Sequence, residues 1–522
     1  MRRLASLLAF ALALTWAAAG AEGVLRRANG NEPGTLDPQK FNLLSEDNIM
    51  RDLFEGLTTQ DADNAIIPGQ AESWTVSDDG KVWTFKLRAG LVWSDGEPVT
   101  ADDFVAGARR AVDPAIAAPL PDSALKLLNA RAILAGTMKP DQLGIAAPDP
   151  LTVVLTLEAP SPLLPKLLAE PLLMPLPRHA YAKYGDAGWA KPGNMVSNGP
   201  YTLSVWEPSS EVRVVKNPRF RNADAVAIPE VVFYPSDDQE MALKRFRAGE
   251  IDLVAALPAA RLEWARTTMP EALSMTPVTQ IRYIEFNYRR PEFQDARVRR
   301  ALAMLVDREV IANNLMLGSV APAYGFVPRC IAGYEGTLFD FGGETQAARV
   351  VEAKRLLAEA GYDAAHPLTV ELRTLNESWA KPVAVAVAAM WQSAGVDATT
   401  KLEEGRSHYA ALKASDFDVA MSAWFANDDP EQFMWLYQSG GGINDSKYAN
   451  PAFDALTHDA EQTMDMAERY RKYAAAEKML MDEAVMIPLF WTIQATLVAP
   501  NVTGLKATAV GMTRSEYARM AE

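Results

Sequence analysis

Between residues 346 and 424 the chain alternates helix and strand patterns, and this alternation restricts the fold more than any other feature of the sequence. Two of the helix patterns stop at Gly361 and Gly395, and glycine favours the left-handed backbone that ends many helices. The patterns are, in order, Gln346–Ala360, Leu368–Leu372, Lys381–Ala394, Ala398–Leu402 and Val419–Trp424. Strands that alternate with helices in this way predict a βαβ-type lobe.

Length, cysteine content and charge narrow the class of protein further. A chain of 522 residues is too long for one hydrophobic core and predicts two or three lobes. Cys330 is the single cysteine, so no intrachain disulfide can form and the fold must depend on its cores. The formal net charge of -15 argues against a nucleic-acid partner, because nucleic-acid binders need basic surfaces.

Residues 1–21 have the pattern of a secretory signal peptide. Two arginines precede an uncharged stretch from Leu4 to Ala19, and small residues at 19 and 21 suit a cleavage site. An uncleaved anchor helix is the competing interpretation. The leader has no cysteine for lipid attachment, and Lys166 and Glu170 interrupt the next long apolar run. We therefore expect an exported, soluble, periplasmic protein without a lipid anchor.

Local signals place several other elements. Thr100 and Asp103 form a capping box, which predicts that a helix starts there. Gln239–Arg247 has a helical pattern, and Asp295 can cap a long helix with Gly318 beyond its end. A proline-rich run over residues 160–177 indicates a boundary between lobes, and the strand pattern that starts at Ile281 is expected to enter a new lobe.

The stretch from Asp416 to Pro430 is the first candidate for a ligand site. A nearly uncharged strand pattern runs into a turn that carries two carboxylates, Asp428 and Asp429, beside two aromatic residues. Polar groups at the end of a buried strand suit a concave site, and carboxylates beside aromatic faces suit an ammonium group. The alternative is a buried strand followed by an ordinary solvated turn.

A set of short motifs, in a fixed order along nearly the whole chain, resembles the oligopeptide-binding proteins of ABC importers. Each motif is weak by itself, but nine or ten in order are specific. The motifs are Arg51-Asp-Leu-Phe-Glu-Gly-Leu57, Ala71-Glu-Ser-Trp74, Val82-Trp-Thr-Phe85, Trp93-Ser-Asp-Gly96, Asp103-Phe104, Asn198-Gly-Pro-Tyr201, Ala248-Gly-Glu-Ile-Asp252, Asp295-Ala-Arg-Val-Arg299, Leu356-Leu-Ala-Glu-Ala-Gly-Tyr362 and Phe417-Asp-Val419.

The resemblance implies an α/β fold of the two-lobed periplasmic-binding-protein type, type II with an extra domain, with mixed sheets and a hinge of crossing strands. It implies the following division: signal peptide, residues 1–21; lobe I, 22–54, 180–279 and 492–522; extra domain on lobe I, 55–179; lobe II, 280–491. A hinge near 279–285 and 488–492 would let the lobes close on a ligand.

The resemblance also implies where a peptide's amino terminus would bind. Peptide-binding members carry an Ala-Asp-Tyr-x-Asp/Glu-Pro segment whose aspartate holds the amine, and here the segment is one residue shorter, from Ala426 to Pro430. Either Asn427 stands at the amine-binding position, or the loop slips and Asp428 takes it. Trp424 and Phe425 would form the adjacent wall. Where the peptide binders carry an arginine upstream, this chain has Met421, which removes one partner for a peptide carboxylate.

Other cleft residues follow from the same resemblance. Glu285, with Tyr283, matches a ligand-proximal glutamate on the strand that enters lobe II, although an ordinary strand position is equally consistent with it. Trp491 lies where the chain returns between the lobes and is otherwise a core residue. The remaining candidates are Asn42 and Leu44, in an N-terminal loop that touches peptide backbone, and Lys381, which faces a carboxylate or is an exposed helix-start lysine.

These features predict a binding protein that captures short peptides and delivers them to an inner-membrane ABC permease. A non-peptide cationic or amino-acid-derived solute is the alternative ligand. No G-x-S-x-G, H-E-x-x-H, Walker A or G-x-G-x-x-G pattern occurs, and the four histidines lack metal-ligand spacing. We expect no catalytic residues, no metal, no cofactor and a monomeric protein.

Overall fold

The computed structural model describes residues 23–119 and 124–521, so the predicted signal peptide lies outside the described residues. The first part of lobe I consists of strand β1 (Val24–Ala28) and helix α1 (Leu44–Leu53). The chain then builds a four-stranded antiparallel sheet in the order β4-β5-β7-β6 and a separate hairpin of β2 and β3. The strands of this part are β2 (Thr58–Gln60), β3 (Ile66–Pro68), β4 (Ala71–Val76), β5 (Val82–Leu87), β6 (Ile145–Asp149) and β7 (Thr152–Thr156).

Four helices lie in the same part of the chain: α2 (Ala101–Ala111), α3 (Ala130–Leu134), α4 (Leu164–Leu167) and α5 (Arg178–Tyr184). The predicted capping box is confirmed, because the backbone N–H of Thr100 donates to Asp103 Oδ2 at 2.8 Å and α2 begins directly after it. The predicted boundary run, residues 160–177, contains α4 and ends just before α5.

The chain next completes lobe I. Its elements are β8 (Tyr201–Glu207), β9 (Glu211–Lys216), β10 (Glu230–Tyr234), α6 (Gln239–Arg247), β11 (Leu253–Val254) and α7 (Leu262–Thr268). The predicted bounds of α6 are confirmed, and Asp238 caps the helix by accepting a hydrogen bond from the N–H of Met241. A 14-residue strand, β12 (Leu273–Phe286), then crosses into lobe II.

Lobe II is the βαβ-type lobe that the alternation predicted. It contains α8 (Ala296–Leu305), α9 (Arg308–Val310), β13 (Val320–Pro322), α10 (Gln346–Glu359), β14 (Thr369–Leu375), α11 (Ala380–Ser393), β15 (Asp397–Glu403), α12 (Gly405–Ala414), β16 (Val419–Phe425), α13 (Glu431–Met434), α14 (Pro451–Gln462) and α15 (Met466–Asp482). The prediction of a long helix after Asp295 is wrong, because α8 ends at Leu305. Asp307 then caps a new turn by accepting a hydrogen bond from the N–H of Val310.

Strand β17 (Met486–Val498) returns to lobe I, and the chain closes with β18 (Val502–Thr503) and β19 (Arg519–Met520). Since β12 and β17 belong to both lobes, one mixed sheet runs through the molecule in the order β15-β14-β16-β12-β17-β11-β1-β10-β9-β8, with β13 also paired to β17. This arrangement confirms the predicted two-lobed fold with crossing strands.

The ladder between β12 and β17 is interrupted where the lobes meet. Pro277 pairs with Ile493 and Ile281 with Trp491, so three residues of β12 stand opposite one of β17. Thr279 lies in this interruption: its N–H donates to the carbonyl of Ala509 at 2.7 Å and its hydroxyl to the carbonyl of Ala426 at 2.6 Å. Such a bulge bends a strand, and here it ties the crossing to a loop of lobe II and to the C-terminal segment.

Two hydrophobic cores correspond to the two lobes. One contains buried side chains from residues 25–272 together with 495–518, and the other contains those from residues 281–490. The four-stranded sheet contributes Phe85 and Val153 to the first of these cores and therefore packs as part of lobe I. The exact domain boundaries that the resemblance implied stay a prediction.

The two ends of the described chain meet inside lobe I. Arg27 on β1 is fully buried, and its guanidinium donates to the hydroxyls of Ser515 and Thr513, both at 2.6 Å. Asp52 lies beside it, and burial raises the pKa of this carboxyl to about 6 although Arg27 opposes the shift. A buried charge needs such partners, so the C-terminal segment is required to complete the core around β1.

Candidate ligand-binding cleft

A cavity of about 470 Å³ separates the loop after β16 from lobe I and the segment around α4. Its walls come from several separate parts of the chain. They include Asn42 and Leu44 of the N-terminal loop, Lys166 and Glu170 near α4, Asn427, Asp428, Asp429, Glu431 and Gln432 after β16, and Val510 and Met512 of the C-terminal segment. The cavity therefore lies where the closing of two lobes would bury a ligand.

A second cavity of about 460 Å³ continues from the first. The two share Lys126, Phe425, Gln432 and Trp435, so they form adjoining parts of one groove. Trp424 and Arg131 line the second part. Two aromatic side chains, Phe425 and Trp435, stand where the two parts meet.

Asp428 presents its carboxylate to a cation across the cleft. The Nζ of Lys166 lies 3.5 Å from Asp428 Oδ2 and also donates to the backbone carbonyl of Asp428. The other carboxylate oxygen, Oδ1, is buried and has no hydrogen-bond partner among the described residues. Burial raises the pKa of Asp428, and Lys166 opposes that shift. The carboxylate is thus placed to hold an ammonium group and has an unfilled acceptor.

Asn427 has partners of a different kind. Its side-chain amide donates to Glu170 Oε1 at 3.1 Å, and its backbone N–H donates to Gln432 Oε1 at 2.6 Å. The first bond crosses the cleft and the second holds the loop in shape. Asn427 lines the cavity, but its carbonyl oxygen is neutral and is therefore a weaker acceptor for an ammonium than the carboxylate of Asp428.

Asp429 belongs to a buried charge network behind the loop. It lies 3.3 Å from Arg469 Nη2, which also contacts Glu431 at 2.5 Å. Asp429 Oδ1 accepts from the N–H of Glu431, and Lys126 Nζ reaches Glu431 at 2.6 Å from the other side of the cleft. Arg469 is fully buried, so these contacts fix the conformation that presents Asp428.

Other residues that the resemblance suggested also line the groove. Phe425 is 57% exposed and borders both cavities, while Trp424 borders the second. Asn42 and Leu44 line the first, and the N–H of Asn42 donates to Glu46 Oε2 at 2.7 Å, which shapes their loop.

The structure does not bring Tyr283 and Glu285 into the groove. Both are buried on the face of β12 that packs into lobe II. There the ring centre of Tyr283 lies 5.3 Å from that of Phe326, in an edge-to-face arrangement. The hydroxyl of Ser422, on β16, donates to Glu285, and burial raises the pKa of Glu285 to about 7. Cross-strand pairing turns these side chains toward the core of lobe II, and their role in the cleft stays a prediction.

Trp491 and Lys381 also lie outside the linings of both cavities. Trp491 pairs with Ile281 and Ala321 in the sheet and packs, partly buried, against the core of lobe II. Lys381 is exposed in the first turn of α11.

Several charged residues at the groove escaped the sequence reasoning, among them Lys126, Lys166 and Arg131. Lys166 did leave a signal, because it interrupts an apolar, proline-rich run. Its partner Asp428 lies 262 residues further on, so no local pattern could have joined the two.

Two lobes joined by crossing strands, with a groove between them lined by aromatic and charged side chains, define a ligand-binding protein of the two-lobed solute-binding class. Within residues 23–119 and 124–521, no helix has the length and apolar character needed to cross a membrane.

The chain belongs to the bacterial extracellular solute-binding proteins, family 5, whose middle-region model matches residues 65–445. A relative from Escherichia coli K12, the probable deoxycholate-binding periplasmic protein YgiS, is 38% identical over 92% of this chain and 90% of its own. The periplasmic oligopeptide-binding protein OppA of the same organism is 36% identical over 92% of this chain and 89% of its own.

Solved structures agree with this assignment and bear on the arrangement of the lobes. The unliganded open form of the murein tripeptide-binding protein MppA, 32% identical, superposes with a TM-score of 0.87 over 96% of this chain and 98% of its own. A further structure of MppA from Escherichia coli, also 32% identical, gives 0.76 over 96% and 99%. Haemophilus influenzae OppA in complex with RPPGFSPFR, 31% identical, gives 0.75 over 96% and 99%. Of these three structures, the open form superposes with the highest TM-score.

Proposed function

We propose that this protein is the exported, periplasmic substrate-binding component of an ABC importer, and that it captures short peptides in the groove and passes them to a membrane permease. Membership of family 5 supports the transport role, and relatives named as oligopeptide-binding and murein peptide-binding proteins support the ligand class. The protein acts as a monomer that binds and releases its ligand without chemical change.

The contact between Asp428 and Lys166 carries the peptide proposal. A lysine ammonium and a peptide's terminal ammonium offer the same three donors, so a carboxylate that holds one can hold the other. Asp428 Oδ1 is buried and has no hydrogen-bond partner among the described residues, so the ligand's amine would replace Lys166 at Oδ2. We therefore assign the ligand's amine to Asp428 rather than to Asn427, whose amide already donates to Glu170.

The open arrangement supplies the binding step. A peptide enters with its amine toward Asp428, displaces Lys166 and lies along the aromatic side chains Phe425 and Trp435. The lobes then close by bending at the interruption near Thr279, which excludes water and strengthens the charge pair at Asp428.

The identity of the co-purified ligand tests this function. Mass spectrometry of whatever the protein carries from the native periplasm should show a mixture of short peptides with free amino termini. One defined non-peptide molecule would favour the alternative solute, and the relative named for deoxycholate makes that outcome worth measuring.

Free-amine binding provides the second test. Protein stripped of ligand by unfolding and refolding should bind tripeptides with a free amine and reject the same tripeptides after N-acetylation. Turnover of those peptides would contradict a pure binding role.

A further inference from the structure

Lobe II also touches the four-stranded sheet and its connections, residues 71–160, which we call the sheet unit. The buried side chains of the sheet unit belong to the core of lobe I, so a contact between this unit and lobe II joins the two lobes. Two such contacts lie apart from the pair formed by Asp428 and Lys166. One of them is ionic and the other is apolar.

The ionic contact joins Lys126, in the sheet unit, to Glu431 at the start of α13. The Nζ of Lys126 lies 2.6 Å from Glu431 Oε1. The Glu431 carboxylate is buried and is held from behind by Arg469, which is also buried. The Lys126 ammonium lies in addition 6.0 Å from the ring centre of Trp435. Because its carboxylate is rigid and shielded from water, this pair should be stronger than an ordinary surface ion pair.

The apolar contact is made by Met464, in the turn between α14 and α15 of lobe II. Its side chain packs against the core of lobe I, beside the turn between β4 and β5. That turn contains Gly80, whose φ is +70°, and a Cβ built there would lie 3.0 Å from Met464 Sδ and 3.0 Å from Pro160 Cβ. The glycine therefore leaves the space that the flexible methionine side chain fills.

The two contacts differ in their relation to the groove. Lys126 lines both cavities, whereas Met464 lines neither of them. A ligand in the groove therefore does not compete for the space of Met464. The crossing strands alone would leave lobe II free to swing by bending near Thr279, and these two side-chain contacts oppose that swing in the absence of a ligand.

We propose that the contacts of Lys126 with Glu431 and of Met464 with the Gly80 turn form a latch that holds lobe II against the sheet unit before a ligand binds. The latch goes beyond the proposed function, because it acts in the ligand-free protein and requires no particular ligand. It gives the sheet unit a role in setting the angle between the lobes. A ligand then meets two walls that are already held together, which lowers the ordering cost of binding.

Double electron–electron resonance on ligand-free protein measures the opening of the latch. Spin labels are attached through Asp141→Cys in the sheet unit and Ala455→Cys on α14, both at exposed positions, in a Cys330→Ser background. With the latch intact, the labels should show one narrow distance distribution. Lys126→Met combined with Met464→Ser should raise the fraction of more widely separated labels at least about 5-fold, and each single variant should give a smaller rise.

Lys183→Met combined with Met466→Ser is the matched control, since it removes the same two groups at exposed positions. The control should keep the distance distribution of the intact latch. Equal widening in the control would overturn the inference, and so would an unchanged distribution in the Lys126→Met and Met464→Ser double variant. Circular dichroism checks that each variant is folded. If the double variant does not fold, the two single variants decide the question by the same criterion.

Discussion

Two regions separated by one peptide bond, the cleft wall at Asp428 and the buried network at Asp429, use the same chemical group in opposite ways. The Asp428 carboxylate is 22% exposed and meets a partly exposed lysine across the cleft. The Asp429 carboxylate is 4% exposed and meets Arg469, which is wholly buried. A carboxylate whose cation can be exchanged is available to a ligand, whereas one whose cation is built into the core stabilises the fold. Variants at the two carboxylates and at their cations separate these two roles.

The largest expected effect is on stability, from Arg469→Met. The change leaves Asp429 and Glu431 buried with Lys126 as their remaining cation, and breaking a buried charge pair costs about 3–5 kcal/mol. The urea midpoint of unfolding should fall accordingly. Arg471→Met removes an exposed partner of Glu468 on the same helix. It should change the free energy of unfolding by less than about 1 kcal/mol and so move the midpoint little. Equal midpoints in the two variants would show that the network does not stabilise lobe II.

Asp428→Asn should weaken ligand binding and leave stability nearly unchanged. Removing one side of a desolvated charge pair costs about 2–5 kcal/mol, so affinity for free-amine tripeptides should fall at least roughly 30-fold. Calorimetric titration with N-acetylated tripeptides provides the control and should show no such loss.

The same titration tests the alternative alignment of the loop. If Asn427 stood at the amine-binding position, Asp428→Asn would have little effect and Asn427→Asp would strengthen binding of free amines. Asp429→Asn should instead lower stability. If neither Asp428→Asn nor Asn427→Asp altered the preference for a free amine, the loop would not be the amine site.

Glu285 adds a third kind of carboxyl, one that is buried with a hydroxyl partner and no ion pair. Its folded pKa of about 7 lies above the ordinary 4.5, so the folded state favours the protonated form. Stability from this group is complete below about pH 4.5 and is lost as pH rises toward 7. Glu285→Gln should therefore reduce the loss of stability between pH 5 and pH 8 by roughly 2–3 kcal/mol, at about 1.4 kcal/mol per pKa unit.

Urea unfolding of both proteins at the two pH values checks this expectation. Glu344→Gln, at an exposed glutamate, serves as the control and should retain the wild-type pH dependence. An unchanged pH dependence in Glu285→Gln would mean that the carboxylate is solvated or paired in solution.

The smallest expected effect comes from Lys166→Met. Removing the Lys166 ammonium frees the Asp428 carboxylate for the ligand. A partly exposed ion pair such as Lys166 with Asp428 contributes about 0–1 kcal/mol. Affinity for free-amine tripeptides should rise by up to about 5-fold, again by the conversion of about 1.4 kcal/mol per decade. Lys478→Met, at an exposed lysine paired with Asp482, should leave affinity unchanged. A fall in affinity with Lys166→Met would show that the lysine contacts the ligand itself.

The sequence predicted those features that depend on neighbours along the chain. The capping box at Thr100, the bounds of α6 and the strand that leads to Asp428 all follow from short-range patterns, and the structure contains each of them. The order of motifs also identified the family and the two-lobed fold. The prediction of one long helix after Asp295 was wrong, because Asp307 lies inside the same apolar pattern and caps a new turn there.

The sequence could not show which side chains meet across the cleft. Side chains alternate between the two faces of β12, so Tyr283 and Glu285 lie on one face and Arg282 on the other. Which face turns toward the groove depends on the pairing with β16 and on packing against Phe326. The contact of Lys166 with Asp428 likewise arises from the docking of distant segments. These are properties of tertiary structure, so a single sequence does not contain a local signal for them.

The burial of Arg27 against Thr513 and Ser515 has a consequence for the biogenesis of the protein. Strand β1 is among the first to be synthesised, but its Arg27 requires partners that lie 486 and 488 residues later in the chain. Lobe I therefore cannot be completed until nearly the whole chain has left the ribosome. At about 5–20 residues per second, that delay lasts roughly 25 to 100 seconds. Throughout this delay the N-terminal core stays incomplete, so lobe I is finished after synthesis of the chain rather than during it.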